Sequence, residues 1–134
     1  MGFDFPNLPY LIDGDFKLTE SKSIMKYLCY KHRPAMLGRT AAELATADMV
    51  SRVHDDMHLK FANYSSNIGD TPELQAELYA AGQKLSNFLG KKTFIVGDQL
   101  TYVDFSMYEL LDNLNYLSRG KKTFETYPNL KHFC

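Results

Sequence analysis

Cysteine is scarce in this chain of 134 residues, which has only Cys29 and Cys134. Two such residues form neither a disulfide framework nor a metal-ligand spacing, so reduced thiols in a cytosol-like compartment are expected. Charge of one sign is lacking too. Fifteen Lys and Arg stand against sixteen Asp and Glu, a formal net charge of −1, with no run of like charge and no basic stripe. A nucleic acid or an anionic membrane is therefore a poor match as partner. No apolar stretch reaches the roughly 20 residues of a membrane span, and the first residues carry neither a secretory nor a transit pattern. These absences lead to the expectation of a soluble cytoplasmic protein.

What the chain does have is core material: 45% of it is hydrophobic and 13% aromatic. That suits one domain or two small pieces. In Phe5 to Asp15, "FPNLPYLIDGD", the apolar run Tyr10, Leu11, Ile12 precedes the turn pair Asp13-Gly14. Phe16, Lys17 and Leu18 then alternate, so the stretch predicts a β-hairpin. A lone hairpin is marginal in water, and an edge this apolar invites pairing, so something else is expected to complete the sheet.

A helix is predicted from about Ser21, where Ile24, Tyr27 and Leu28 follow at helical spacing, and it stops before Pro34. Pro34 and Gly38 mark a linker over residues 34–40. Beyond it the period is helical throughout. The first helix there starts near Ala41, carries Leu44, Val50, Val53, Met57 and Phe61 on one face, and dissolves in the polar run Ser65 to Asp70. Thr71 and Pro72 open the next, with Leu74, Leu78, Ala81, Leu85 and Phe88 on its face and Gly90 at its end. Thr101 and Asp104 then form a capping box, each side chain bonding the other's amide, with Leu100 against Phe105 as a hydrophobic staple. The helix that follows, with Val103, Met107, Leu110, Leu114 and Leu117, is apolar enough to be central; it ends near Gly120. Tyr127-Pro128-Asn129-Leu130 starts a last helix that stops too soon to bury a face. Both ends of the chain look cut.

Taken together, Asn7-Leu8-Pro9, the hairpin Leu11 to Gly14, the Glu20-Ser21 helix start, the phrase Ile24 to His32 and the Thr101–Asp104 box strongly resemble cytosolic glutathione transferases. "FPNLPYLIDG" and "YPNLKHF" resemble the mu class. The resemblance covers essentially the whole chain. It implies an α+β, mainly α fold, in which residues 1–33 are part of a thioredoxin-like glutathione-binding domain and residues 41–134 an all-helical C-terminal domain. The preceding βαβ unit, about 30 residues by the size of such units, would pair with the hairpin and carry the tyrosine that stabilises the thiolate. No catalytic residue is thus expected in this chain.

The same resemblance implies glutathione as co-substrate, a small apolar electrophile, a homodimer and no metal. Ser21, at a helix start with free amides and a positive dipole end, would take the γ-glutamyl carboxylate. Leu8-Pro9 resembles a cis-proline corner that exposes the Leu8 backbone to the cysteinyl part. Asn7 flanks that corner. Glu20 stands where the mu class usually has glutamine and can pair with the ligand ammonium. Asp56, in "HDDMH", aligns with an aspartate that reaches the partner's glutathione across a dimer.

Plainer readings stand beside these. Ser21 can be an ordinary helix cap, Pro9 a trans loop proline and Asp56 a solvated carboxylate. The capping box accounts for Asp104 without catalysis. His54 and His58, with Asp55 between them, resemble a zinc helix, but no third ligand is apparent and a polar face is expected. Cys29 reads as an inert packing thiol. Tyr10, Tyr27 and Tyr30 read as packing residues, whereas Tyr64 could face an electrophile pocket. The alternative to an enzyme is an inactive structural or interaction subunit whose open sheet edge a larger assembly covers.

Overall fold

In the computed structural model, which describes residues 2–67, 71–117 and 123–134, the chain opens with the expected hairpin. Strand β1 (Tyr10–Asp13) pairs antiparallel with β2 (Phe16–Thr19), Tyr10 opposite Thr19 and Asp13 opposite Phe16. Among the described residues these two strands make the whole sheet. Helix α1 (Ser21–His32) follows and stops two residues before Pro34, as proline sterics require. Asp13 joins hairpin to helix: it pairs with Lys31 and accepts from the Tyr27 hydroxyl at 2.6 Å. Those two contacts, Lys31 first, hold the Asp13 carboxyl below the ordinary aspartate value.

The expected linker is ordered. Pro34–Leu37 wind into a 3-10 turn, and Gly38 meets helix α2 (Ala41–Asn67) at φ +119°. A Cβ on Gly38 would lie 2.6 Å from the Leu44 amide nitrogen, so only glycine fits. Thr40 and Glu43 cap α2 reciprocally. The Glu43 amide donates to Thr40 Oγ1 at 3.1 Å, while Glu43 Oε2 accepts from the amides of Thr40 (3.2 Å) and Arg39 (2.6 Å).

The buried stripe of α2 differs from the expected one. It consists of Ala47, Val50, Ser51, His54 and Phe61, with Met57 half-buried, whereas Leu44 and Val53 are 52% and 39% exposed. The stripe advances by threes and fours through a serine and a histidine, so apolarity alone misplaces it. On α3 (Pro72–Leu89) the buried leucines among the described residues are Leu78, Leu85 and Leu89, while Phe88, expected inside, is 37% exposed. The expectations for the side chains of Tyr64 and Leu74, and for Asp70 and Gly120, lie outside the described residues.

Helix α4 (Tyr102–Leu117) is the centre of the core: Val103, Met107, Leu110, Leu111 and Leu114 are at most 1% exposed. Each such side chain contributes about 1.5 to 3 kcal/mol by leaving water. Short helices α5 (Thr123–Thr126) and α6 (Pro128–Phe133) close the chain. Contrary to expectation, the last helix does bury a face, with Leu130 at 1% and Tyr127 at 7% exposure. Gly82 on α3 makes the room, since a Cβ there would come within 2.7 Å of the Tyr127 ring. The Tyr127 hydroxyl donates to the Tyr79 carbonyl at 3.1 Å. Asn129 then satisfies the end of α3, donating to the carbonyls of Ser86 (2.9 Å) and Gly90 (3.2 Å).

The box at the start of α4 forms by half. Asp104 Oδ2 accepts from the Thr101 amide at 2.7 Å, as expected, and also from the Thr101 hydroxyl at 2.8 Å. That hydroxyl therefore donates to the carboxylate, and the Asp104 amide goes to the Thr101 carbonyl at 3.1 Å. The other carboxylate oxygen accepts from the Ile95 amide at 2.7 Å. Leu100 and Phe105 are 38% and 54% exposed, so the staple pair lies at the surface. Asp104→Ala would orphan the Thr101 and Ile95 amides, an expected loss of about 2 to 6 kcal/mol at about 1 to 3 per stranded group. Urea unfolding reads this directly. Asp104→Asn, with one acceptor oxygen kept, should recover part of the loss, and an alanine variant as stable as the parent would remove Asp104 from its anchoring role.

Candidate functional site

The segment before β1 folds back against the start of α1. Thr19, buried at the end of β2, donates its hydroxyl to the Phe5 carbonyl at 2.8 Å. The next residue, Glu20, sits at φ +71°, the left-handed region that a side chain ordinarily avoids at a cost of order 1 to 3 kcal/mol. Glu20 Oε1 accepts from Asn7 Nδ2 at 3.0 Å, and Asn7 Oδ1 accepts from the Leu8 amide at 2.9 Å. The Leu8–Pro9 bond is cis, and Leu8 is 78% exposed. Asn7, Leu8, Pro9, Glu20 and Ser21 are thereby gathered at one surface. Ser21 is exposed, and no side chain caps the helix at Glu20, so α1 presents its first amides and positive dipole end here.

A cleft of about 340 Å³ opens beside Ser21, between the first turn of α1 and the middle of α2. Glu20, Ser21, Lys22 and Lys26 line one wall, and Ser51, Arg52 and Asp55 the other. Lys22 Nζ pairs with Asp55 at 2.5 Å and donates to the Ser51 carbonyl at 2.5 Å. Lys26 pairs with Asp48. Burial pushes the Asp55 carboxyl up, but its pairing with Lys22, aided by the nearby His54 ring, outweighs that and leaves it below the usual value. The bond to Asp48 raises Lys26 against the opposing effect of burial.

Asp56 is exposed on α2 and does not line this cleft; its neighbour Asp55 does. Successive helical residues point about 100° apart, so one position decides which carboxylate faces the cleft. Lys22, Ser51, Arg52 and Asp55 are site residues that the sequence reading did not single out. Their only local signal is that positions 48, 51, 52 and 55 share a helix face by spacings of three and four.

Behind the cleft His54 is buried at 6% exposure, and neither ring nitrogen has a hydrogen-bond partner. Asp55 Oδ1 lies 3.5 Å from Nδ1, too long for a bond, and the ring stacks on His58 with centroids 5.6 Å apart. Burial, and next the Lys22 charge, hold the imidazole below its ordinary value. Cys29 is half-buried and its thiol is pushed up by burial, consistent with packing. Among the described residues no three His, Cys, Asp or Glu side chains are grouped as metal ligands would be, and no helix is long and apolar enough to cross a membrane.

This geometry has close counterparts. The family model for the glutathione S-transferase C-terminal domain matches residues 55–134, and that for the N-terminal domain matches residues 2–29. Glutathione S-transferase Mu 1 of Rattus norvegicus is 40% identical over 136 aligned positions, which take in 99% of this chain and 61% of the relative. Glutathione S-transferase 2 of Gallus gallus is 43% identical over 115 positions, 84% of this chain and 51% of the relative. Among solved structures, the glutathione S-transferase Blo t 8 superposes with a TM-score of 0.83 at 33% identity, covering 99% of this chain and 64% of that one. The chain belongs to the glutathione S-transferase family. Within that family it is mu-like, and it spans about 61% of the length of its mu-class relatives.

His54 gives the fold a defined acid weakness. Its pKa is lower folded than the ordinary 6.5 of the unfolded chain, so the unfolded state binds more protons in the window between the two. The stability that neutral His54 contributes is therefore complete above pH 6.5 and is lost as pH falls through the folded value. Denaturant midpoints at pH 7.5 and 5.0 should drop more for the parent than for His54→Leu. Equal drops would place the acid sensitivity elsewhere.

Proposed function

We propose that this chain is the glutathione-holding portion of a mu-like glutathione transferase, which as a whole protein conjugates the glutathione thiolate to small apolar electrophiles. One observation supports the reading above others: the cis Leu8–Pro9 corner, the Asn7–Glu20 bond and the uncapped helix start at Ser21 converge at Glu20. The Leu8 carbonyl, with the Leu8 amide donated to Asn7 Oδ1, offers an acceptor to the cysteinyl part of the tripeptide, in the manner of an added strand. The Ser21 hydroxyl and the first amides of α1 offer donors to the γ-glutamyl carboxylate. Glu20 offers a carboxylate to the ammonium.

In the reaction the thiol gives up its proton, sulfur forms a bond to the electrophilic carbon, and a leaving group such as halide departs with its electron pair. Glutathione is the co-substrate, and this chemistry uses no metal. The chain's part is to hold the nucleophile in place, which lowers the barrier by positioning; no catalytic residue is assigned within it. Residues 1–33 form the glutathione side, 34–40 the connection and 41–134 the helical domain. The resemblance to mu-class glutathione transferases also motivates a cytoplasmic homodimer in which Asp56 reaches the partner's glutathione.

Calorimetric titration with glutathione tests the site. The parent should bind, and Ser21→Ala should bind about tenfold more weakly, the equivalent of one hydrogen bond to a charged group. Binding that Ser21→Ala leaves unchanged would overturn the site. Protein from its natural source, with its intact mass measured, should conjugate glutathione to a reactive aryl halide; absence of that activity would overturn the catalytic reading.

A further inference from the structure

Three cations line the cleft, and two of them are already engaged. Lys22 is held by Asp55 and the Ser51 carbonyl, and Lys26 is held by Asp48. Arg52 lies on α2 four residues after Asp48, three before Asp55 and four before Asp56; lysines from α1 take the first two of these carboxylates, and Asp56 does not line the cleft. Arg52 is exposed, and the cleft wall it forms faces Ser21 and Glu20. A guanidinium matches a carboxylate with two parallel donors, a geometry that an ammonium cannot supply.

The two walls are thus complementary to a group that carries opposite charges on one carbon. Glu20 supplies an anion on the α1 side and Arg52 a cation on the α2 side. A free amino-acid head, with its α-carboxylate and α-ammonium, has that pattern. We infer that Arg52 is a specificity-determining residue of this cleft, one that takes the α-carboxylate of a γ-glutamyl head and so selects ligands that retain it. The inference rests on the glutathione reading of the site and adds the part of the ligand that decides affinity. Ser21 and the α1 amides then share that carboxylate with Arg52.

The test titrates the purified protein with glutathione and with 4-aminobutanoyl-cysteinylglycine, the analogue that lacks only the α-carboxylate. Arg52→Gln should weaken glutathione about tenfold and leave the analogue unchanged, and Arg52→Lys should recover part of the loss. Arg52→Gln binding glutathione within about twofold of the parent, or losing the same factor for both ligands, would overturn the inference. If Ser21→Ala weakens glutathione while Arg52→Gln does not, the inference about Arg52 falls alone. If the parent binds neither ligand, the glutathione reading fails and this inference fails with it.

Discussion

The buried carboxylate of Asp104 fixes the place where the central helix begins. A charge taken out of water is tolerated only when its lone pairs are satisfied, and here three donors satisfy it: two amides and a hydroxyl, none of them a full cation. One oxygen holds the first turn of α4 and the other holds the loop at Ile95, whose carbonyl in turn accepts from Lys92 at 3.0 Å. Once that end is set, the apolar stripe from Val103 to Leu114 has one register in which to meet α2. The cleft depends on this at one remove, because α2 supplies a whole wall of it.

The two walls are joined less firmly than the core behind them. Between α1 and α2 the polar links are the pairs Lys22–Asp55 and Lys26–Asp48, with side chains roughly 20% to 45% exposed, and the Lys22 bond to the Ser51 carbonyl. Ion pairs this open to solvent contribute about 0 to 1 kcal/mol each. Between α2 and α4 the link is close-packed hydrocarbon, which contributes several times that. The cleft therefore lies along a joint whose ion pairs are weak, while behind it Met25 and Cys29 of α1 pack against the helical core. Glu20 sits at that joint in a strained backbone conformation, held there by Asn7 on one side and by the Thr19 anchor on the other.

The sequence made most elements legible where local chemistry decides them. Asp13-Gly14 marks a turn, Pro34 stops a helix, Pro72 opens one, and the Thr101–Asp104 spacing marks another. It misled where a polar residue is buried or an apolar one is not. His54 and Ser51 face inward on α2, so the stripe that includes them looks broken and Leu44 and Val53 look continuous with it. Of the candidate site, the surface around Glu20 was legible and the α2 wall of the cleft was not. Asn7, Leu8, Pro9, Glu20 and Ser21 could be named because they lie in a recognisable local pattern, whereas Lys22 and Arg52 gain their meaning from carboxylates that pair across two helices. The difference between Asp55 and Asp56 is one step of helical rotation, which no pattern of charges in "HDDMH" resolves.

Gly82 shows how an absent side chain can carry information. The Tyr127 ring occupies the space that a Cβ on α3 would need, and its hydroxyl reaches back to the same helix at Tyr79. The two positions are therefore not independent letters of the chain. A side chain at position 82 would force the Tyr127 ring to shift, and a smaller residue at position 127 would leave space that a side chain at position 82 borders. The geometry couples the two sites, since the Tyr127 ring in its present place and a side chain at position 82 compete for one space.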